Sequence, residues 1–237
     1  MWGACFALLT LMAPPTEVTL TGRVVRVVGR DTVGVVGARV VLHRVVTARQ
    51  GPIDSVLSGA AGSFRFRFRP DSGAIYLTSA RWAGIEYFAS PIMATAGTRP
   101  GPVLLIVADT SSGGTVVLAA RHLVVSAPAA DGTRAVLEVL VVENPGPYTR
   151  VPLDSAAATW MVVLPSRAAR VELADTDFAA DAVEIRGDTL RLAAALPPGA
   201  RQLTVQYQVP AGIRRWVIPV GEPILAMNIL LVNPRPG

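Results

Sequence analysis

The sequence predicts an all-β protein built from two β-sandwich domains, and two observations predict it. The first is a series of short alternating or β-branched runs, each interrupted by Gly, Pro or Asp, which is typical of sandwiches and barrels. The clearest runs are Val24–Val28, Ala38–Leu42, Val136–Val142, Met161–Leu164, Leu203–Tyr207 and Ile229–Val232. The second observation is that no long segment keeps a helical period, and prolines interrupt most places where a helix would begin.

The composition indicates a folded protein and excludes several kinds of site. The 237 residues are 51% hydrophobic and 16% charged, which is enough apolar material for a core. All 22 basic side chains are arginine, and they are spread along the chain without the basic run of a nucleic-acid-binding protein. One cysteine, Cys5, and two histidines, His43 and His122, exclude a Cys-rich zinc site, a redox CxxC pair and an internal disulfide. We therefore predict no cofactor, no metal and no nucleic-acid partner.

The first residues form an apolar run, Met1–Met12, that ends at Pro14-Pro15. The run has the length of the hydrophobic region of a signal peptide, although the usual basic residues before it are missing. The alternative is a buried N-terminal strand or helix. We favour export and predict that residues 1–15 are a leader. No later apolar stretch reaches the roughly 18 residues of a transmembrane helix, so we expect no membrane span.

Two segments weaken the pattern near the middle of the chain. Thr95–Gly101 has no strand or helix signal, and Asp109–Gly114 is rich in Ser and Gly. We predict a first domain over residues 16–106 and a second over residues 107–237. The predicted strand Val103–Val107 lies at this boundary.

One hairpin is predicted in register. Gly187-Asp188 fits a two-residue turn that begins with glycine. The turn pairs Val183 with Leu192, Glu184 with Arg191, Ile185 with Leu190 and Arg186 with Thr189. One face of the hairpin is then apolar, while the other carries the opposite-charge pair of Glu184 and Arg191.

Most of residues 18–92 carry a series of short motifs at strand starts. The motifs are Thr21–Val25, Val36–Leu42, Gly62-Ser63-Phe64, Gly73–Thr78 and Gly84–Tyr87. In these motifs the segment resembles the carboxypeptidase regulatory-like domain, a transthyretin-like β-sandwich common in bacterial envelope proteins. The resemblance implies that fold and a periplasmic or envelope location, but no peptidase activity. Two departures are Gly59-Ala60-Ala61, which replaces a usual acidic residue, and the longer loop Arg44–Ser55. The second half is similar to a further β-domain of exported bacterial proteins, mainly through Pro-Gly turns.

Two groups of residues form a candidate contact surface. In Phe64–Arg69, a strand places the three phenylalanines on one face and Arg65, Arg67 and Arg69 on the other. A platform for single-stranded nucleic acid needs rings and charges on the same face, so we interpret this strand as half-buried, with an arginine row that attracts anionic surfaces. Around a glycine turn, Arg81, Trp82, Glu86 and Tyr87 fit a carbohydrate or protein contact. The same aromatic residues also fit a core or domain-joining role.

Catalytic patterns are missing. The sequence contains no G-x-S-x-G elbow and no Gly-rich phosphate loop. We interpret His43 and His122 as surface or interface histidines, with His122 opening a strand. Asp175, Asp177 and Asp181 are interpreted as a solvated acidic loop rather than a calcium site. We therefore predict no catalytic residue.

These observations favour a non-enzymatic exported envelope protein, a structural, adaptor or binding module that acts through its β-sandwich surfaces. The expected partner is an envelope protein or a polysaccharide. Two alternatives stay open, a carbohydrate-binding module and a cryptic hydrolase.

Overall fold

The computed structural model describes residues 17–29, 31–46, 49–221 and 223–232. The chain divides into two compact units, and the division falls between Val107 and Ala108. The described residues form strands, apart from the single-turn 3₁₀ helices Ala60–Gly62 and Ala180–Ala182 and the connecting loops. The predicted all-β class is confirmed. The predicted leader, residues 1–15, lies outside the described residues.

Unit 1 is the part of the chain up to Val107, and the strands of its described residues form two sheets. They are β1 (Val18–Val28), β2 (Asp31–Gly34), β3 (Arg39–Val46), β4 (Arg49–Leu57), β5 (Ser63–Phe68), β6 (Ile75–Trp82), β7 (Ile85–Phe88), β8 (Ile92–Met93) and β9 (Val103–Val107). In the four-stranded sheet, β1 is the central strand. Strands β2 and β5 both pair with one side of β1, and β9 pairs with the other side in parallel orientation. The five-stranded sheet has the order β4-β3-β6-β7, with β8 also on β6.

Alternation along these strands supplies the core of unit 1. Every second residue at the start of β1 is buried, as are Phe64 and Phe66 on β5 and Tyr76 on β6. The rings of Phe68 and Tyr76 lie with centroids 4.6 Å apart, which joins the two sheets. Val103–Val107, the strand at the predicted boundary, belongs to unit 1 because it pairs with β1.

Gly62, in the Gly-x-Phe motif, allows a close approach between two backbones. Its φ is +76°, and a Cβ there would collide with the carbonyl oxygen of Val24 on β1. Only glycine combines this left-handed backbone with the missing Cβ. The motif therefore brings the 3₁₀ turn before β5 directly against β1.

The strands of unit 2, from Ala108 onward, form three sheets in the described residues. They are β10 (Thr110–Ser111), β11 (Val117–Val125), β12 (Thr133–Asn144), β13 (Thr149–Arg150), β14 (Trp160–Val163), β15 (Ala169–Thr176), β16 (Val183–Arg186), β17 (Thr189–Leu192), β18 (Gly199–Pro210) and β19 (Ile224–Leu231). The largest sheet has the order β15-β18-β12-β11-β19, with β19 parallel to β11. A three-stranded sheet has the order β14-β17-β16, and β10 pairs with β13.

The core of unit 2 lies between its five-stranded and three-stranded sheets. One cluster of buried side chains draws members from both, including Leu140 and Val205 from the large sheet and Leu190 and Leu192 from the small one. Leu140, Leu190 and Leu192 alternate with less buried neighbours, as on a strand with one covered face.

The Gly187-Asp188 hairpin has the predicted register, because Val183, Glu184, Ile185 and Arg186 pair with Leu192, Arg191, Leu190 and Thr189. Gly187 has a φ of +63°, as the first position of this turn requires. The predicted cross-strand pairing of Glu184 with Arg191 is confirmed, but their side chains have other partners. Glu184 Oε1 lies 2.6 Å from Nε of Arg186, two residues along on the same face, while Arg191 donates to the Ala156 carbonyl.

Candidate functional site

The predicted contact residues of the β6–β7 hairpin are divided between its two faces. Arg81 and Glu86 are opposite each other and exposed, and Trp82 is half-buried with the Arg26 guanidinium 5.9 Å from its ring centre. Tyr87 is only 5% exposed. The turn between the strands has positive φ at both Ala83 and Gly84, as in a type I′ hairpin. A binding role for these residues stays a prediction.

The arginine row of β5 faces outward. Arg65, Arg67 and Arg69 are exposed while Phe64 and Phe66 are buried, so rings and charges lie on opposite faces as alternation predicts. Among the described residues, this row has one ion pair, in which Arg69 Nε lies 3.9 Å from Glu17 Oε1. An anionic partner for the row stays a prediction.

The fold brings His43 and Ser79 together, a pair that sequence reasoning missed. His43 Nε2 lies 2.8 Å from Ser79 Oγ across β3 and β6, a distance that also suits a nucleophile and its base. The Ser79 side chain is fully buried, however, and the Phe88 ring lies 5.9 Å from the imidazole. The arrangement is that of a structural hydrogen bond within the sheet. No local signal predicts it, because the two residues are 36 positions apart.

Two predictions for unit 2 need correction. His122 does not open a strand, because β11 begins at Val117, and its Nδ1 lies 3.0 Å from Asn228 Nδ2 on β19. Asp175 does not lie in a loop, because β15 extends to Thr176 through pairing with β18. Among the described residues no group of three or more His, Cys, Asp or Glu is arranged to hold a metal. None of the described residues forms a helix long and apolar enough to cross a membrane.

A charged network lies inside the sandwich of unit 2. Arg121 Nε donates to Glu138 Oε1 at 2.6 Å, and the Tyr207 hydroxyl donates to Glu138 Oε2 at 2.6 Å. Arg121 also donates to the carbonyls of Pro219, at 2.7 Å, and Val163, at 3.3 Å. All three side chains are fully buried. Burial, followed by the Glu138 carboxylate, raises the pKa of Tyr207.

Arg121 therefore differs from the outward-facing arginines of β5, and sequence reasoning missed it. The sequence does contain a signal for this network on β12. Glu138 alternates in step with Val136, Leu140 and Val142, so it faces the core as they do. A charged residue at an inward position needs a buried partner. The sequence does not name that partner, because Arg121 is brought to Glu138 only by the pairing of β11 with β12.

The two edge strands of the five-stranded sheet in unit 2 differ in how well they are protected against pairing with another strand. The β15 edge carries Arg170, Glu172 and Asp175, and its pairing with β18 contains two register shifts. Charges and bulges of this kind prevent pairing with another strand. The β19 edge is an uninterrupted strand whose eight residues, Ile-Leu-Ala-Met-Asn-Ile-Leu-Leu, carry no charge. Within the described residues, therefore, the β15 edge is protected against strand addition and the β19 edge is open to it.

Apolar side chains project from both faces of β19. Met227, Ile229 and Leu231 pair in register with the buried residues Arg121, Leu123 and Val125 of β11, so they point to the core side of the sheet. Ile229 and Leu231 are nevertheless 49% and 60% exposed, and Leu225 and Leu230 are 73% and 59% exposed. The five-stranded sheet thus extends one strand beyond the part that the smaller sheet covers.

Comparisons with known proteins leave the family open. No protein-family model matches the chain, and no curated protein matches it. Among solved structures the chain is similar to the shaft pilin spaA from Lactobacillus rhamnosus GG, at 10% identity and a TM-score of 0.25, over 94% of this chain and 99% of that chain. A similarity of that size establishes neither a shared fold nor a shared function. The resemblance of residues 18–92 to the carboxypeptidase regulatory-like domain stays an expectation.

Proposed function

We propose that the chain is a non-enzymatic exported protein of a bacterial envelope that acts as a structural module, and that it assembles with a second copy through the β19 edge. The observation that carries the proposal is this long, uncharged and exposed edge strand. In the part of the chain that the structure describes, only β11 pairs with β19, so the N–H and C=O groups on the other side of β19 can pair with a further strand. Export is supported by the apolar run at the N-terminus and by the sequence resemblance to envelope domains.

The missing charge and the exposed apolar side chains of β19 favour a second copy as the occupant. Two β19 strands paired antiparallel across a two-fold axis bring no like charges together, because the strand has none. The pairing joins two five-stranded sheets into one. On each copy Leu225, Ile229, Leu230 and Leu231 are 49–73% exposed. Pairing of the two strands lets these apolar side chains pack across the axis.

Sedimentation of the full chain as a function of concentration tests the assembly. We expect dimers at micromolar concentration, and a monomer for Leu230→Arg, because the variant places charge on both sides of the two-fold axis. Leu57→Arg on β4 is the matched control, since Leu57 is 68% exposed and lies in unit 1. That variant should sediment as the wild type does. A wild-type chain that stays monomeric to about 100 μM, or a Leu230→Arg variant that still dimerises, would contradict the proposal.

Export has a separate test. N-terminal sequencing of the mature protein and fractionation of cells should find a product that has lost the apolar run and lies in the envelope fraction. A full-length cytoplasmic product would contradict the envelope location and leave the assembly result unaffected.

A further inference from the structure

The four-stranded sheet of unit 1 has an outer face, turned away from the buried core, on which positive charge is concentrated. Arg65 and Arg67 of β5 are exposed on this face, and the exposed Arg69 follows directly after the strand. Arg23 of β1 is exposed on the same face, because it pairs with Ser63, which alternates in step with Arg65. Four guanidinium groups therefore share this surface, which we call the basic face.

Few negative charges offset the basic face. Strands β1, β5 and β9 contain no acidic residue, and Asp31 of β2 pairs with Val28, at the far end of β1 from the arginine row. Glu17, directly before β1, lies 3.9 Å from Arg69, and both side chains are more than half exposed. Four arginines against one glutamate leave a formal charge of +3 on this face. The charge is therefore available to an anionic partner.

Two exposed apolar side chains share this face with the arginines. Leu104 of β9 pairs with Arg23, and Ile106 lies two residues further along the strand. These two side chains are 55% and 51% exposed, whereas Leu105 and Val107 are buried in the core. Strands β5 and β9 lie on opposite sides of β1, so the arginine row and the apolar pair are about 10 Å apart across the sheet. Charge and apolar surface therefore lie side by side.

The combination of arginine and apolar side chains selects the partner. Guanidinium groups bind phosphate oxygens through paired, charge-assisted hydrogen bonds. A bilayer of anionic phospholipids presents phosphates at its surface and an apolar boundary directly beneath them, and binding to it depends on both charge and buried apolar area. An anionic polysaccharide also offers negative groups, but it has no apolar layer to cover Leu104 and Ile106. The face as a whole therefore fits the bilayer better.

We propose that the basic face binds the surface of an anionic phospholipid bilayer. The arginines contact the phosphates of the headgroups, and Leu104 and Ile106 enter the boundary between headgroups and acyl chains. This interaction goes beyond the proposed function, because it uses the outer face of a sheet in unit 1 and does not involve the β19 edge. Failure of either proposal leaves the other unaffected.

Co-sedimentation of the full chain with vesicles tests the proposal. The probe is phosphatidylcholine with about 30 mol% phosphatidylglycerol, and the control is phosphatidylcholine alone. We expect the wild type to bind the anionic vesicles at least about 10-fold more tightly than the neutral ones. Most of this difference should disappear at about 1 M salt, because charges are then screened within about 3 Å. The apolar run Met1–Met12 is present in every sample, so its contribution cancels in the comparison.

Variants assign the binding to the basic face. Changing its three β5-side arginines to glutamine should weaken binding to the anionic vesicles at least about 10-fold; the changes are Arg65→Gln, Arg67→Gln and Arg69→Gln. The matched control removes the same charge from exposed positions of unit 2, by Arg167→Gln, Arg214→Gln and Arg215→Gln. This control should lose less than about 3-fold, because its arginines lie outside the face.

A third variant tests the apolar part of the face. Leu104→Gln with Ile106→Gln keeps every charge and should weaken vesicle binding several-fold, because less apolar area then enters the bilayer. Since both side chains are about half exposed, the thermal unfolding midpoint should stay close to that of the wild type. Unchanged vesicle binding by this variant would overturn the proposal, because charge alone would then explain the binding.

Two further results would overturn the proposal. One is equal binding of the wild type to anionic and neutral vesicles, or an equal loss in the two arginine variants, which would assign the binding to net charge or to the apolar run. The other uses dextran sulfate, a soluble anionic polysaccharide, as the alternative partner. Retention on dextran sulfate without retention on anionic vesicles would assign the basic face to a polymer.

Discussion

Arg121 Nε lies 2.6 Å from Glu138 Oε1, and both side chains are completely buried in unit 2. Removing one charge of a buried pair leaves the other uncompensated and destabilises strongly, by about 3–5 kcal/mol. We therefore expect Glu138→Gln to lower the free energy of unfolding by that amount in urea titrations. Hydrogen exchange of the β11 and β12 amides should place the loss in unit 2.

Two controls separate burial from the ion pair itself. Glu184→Gln breaks the ion pair with Arg186. The Glu184 side chain is 50% exposed and that of Arg186 is 63% exposed, so the free energy of unfolding should fall by no more than about 1 kcal/mol. Replacing the whole network by Arg121→Met, Glu138→Leu and Tyr207→Phe should recover most of the loss, because no charge is then left unpaired. Equal costs for Glu138→Gln and Glu184→Gln would contradict this account.

Stability at alkaline pH should depend on Tyr207. Burial and the Glu138 carboxylate raise its pKa above the ordinary value near 10, so above pH 10 the native state keeps a proton that the unfolded chain releases. The contribution of Tyr207 is therefore fully present below pH 10. Above that pH it falls by up to about 1.4 kcal/mol per pH unit. The chain has no lysine, so few other groups titrate in this range.

The measurement is the free energy of unfolding between pH 9 and pH 11. Tyr207→Phe should remove most of the decline, while Tyr148→Phe, at an exposed tyrosine, should leave it unchanged. A decline of the same slope in Tyr207→Phe would show that another group is responsible.

Gly62 and Gly73 offer a matched pair for the Gly-x-Phe turn. Their φ values are +76° and +74°, but a Cβ at Gly62 would strike the Val24 carbonyl while a Cβ at Gly73 would meet open space. We expect Gly73→Ala to cost only the left-handed backbone, about 1–2 kcal/mol. Gly62→Ala should cost at least about 1–3 kcal/mol more, through displacement of β1 or β5. Chemical unfolding of both variants checks the difference, and equal costs would show that the backbones separate without loss.

The carbohydrate-binding alternative is checked with a glycan array. Under the structural role proposed above, neither the wild type nor Trp82→Ala should retain a glycan. Retention by the wild type that Trp82→Ala abolishes would instead support the carbohydrate-binding module. Tyr87 is a poor probe for this purpose, because it is nearly buried and its removal would disturb unit 1.

The sequence by itself determined the all-β class, the outward arginine row of β5 and the register of the Gly187-Asp188 hairpin. Each of these depends on period-two alternation or on a turn between adjacent strands, so the information is local. Glu184 and Arg191 are paired across the strands as predicted, but the Glu184 carboxylate forms its ion pair with Arg186 on its own strand. The turn sets the register of the backbone, whereas a long charged side chain can reach several neighbouring partners, and the turn does not determine which one it contacts.

Only the tertiary structure decided which polar groups meet in the interior. His43 and Ser79 are 36 positions apart, and Glu138 and Tyr207 are 69 apart. The position of Glu138 in the alternating pattern of β12 indicates a buried charge, but which residues pair with it depends on the order of the strands. Strand order follows from how whole faces are buried against each other, and no short stretch of sequence contains that information.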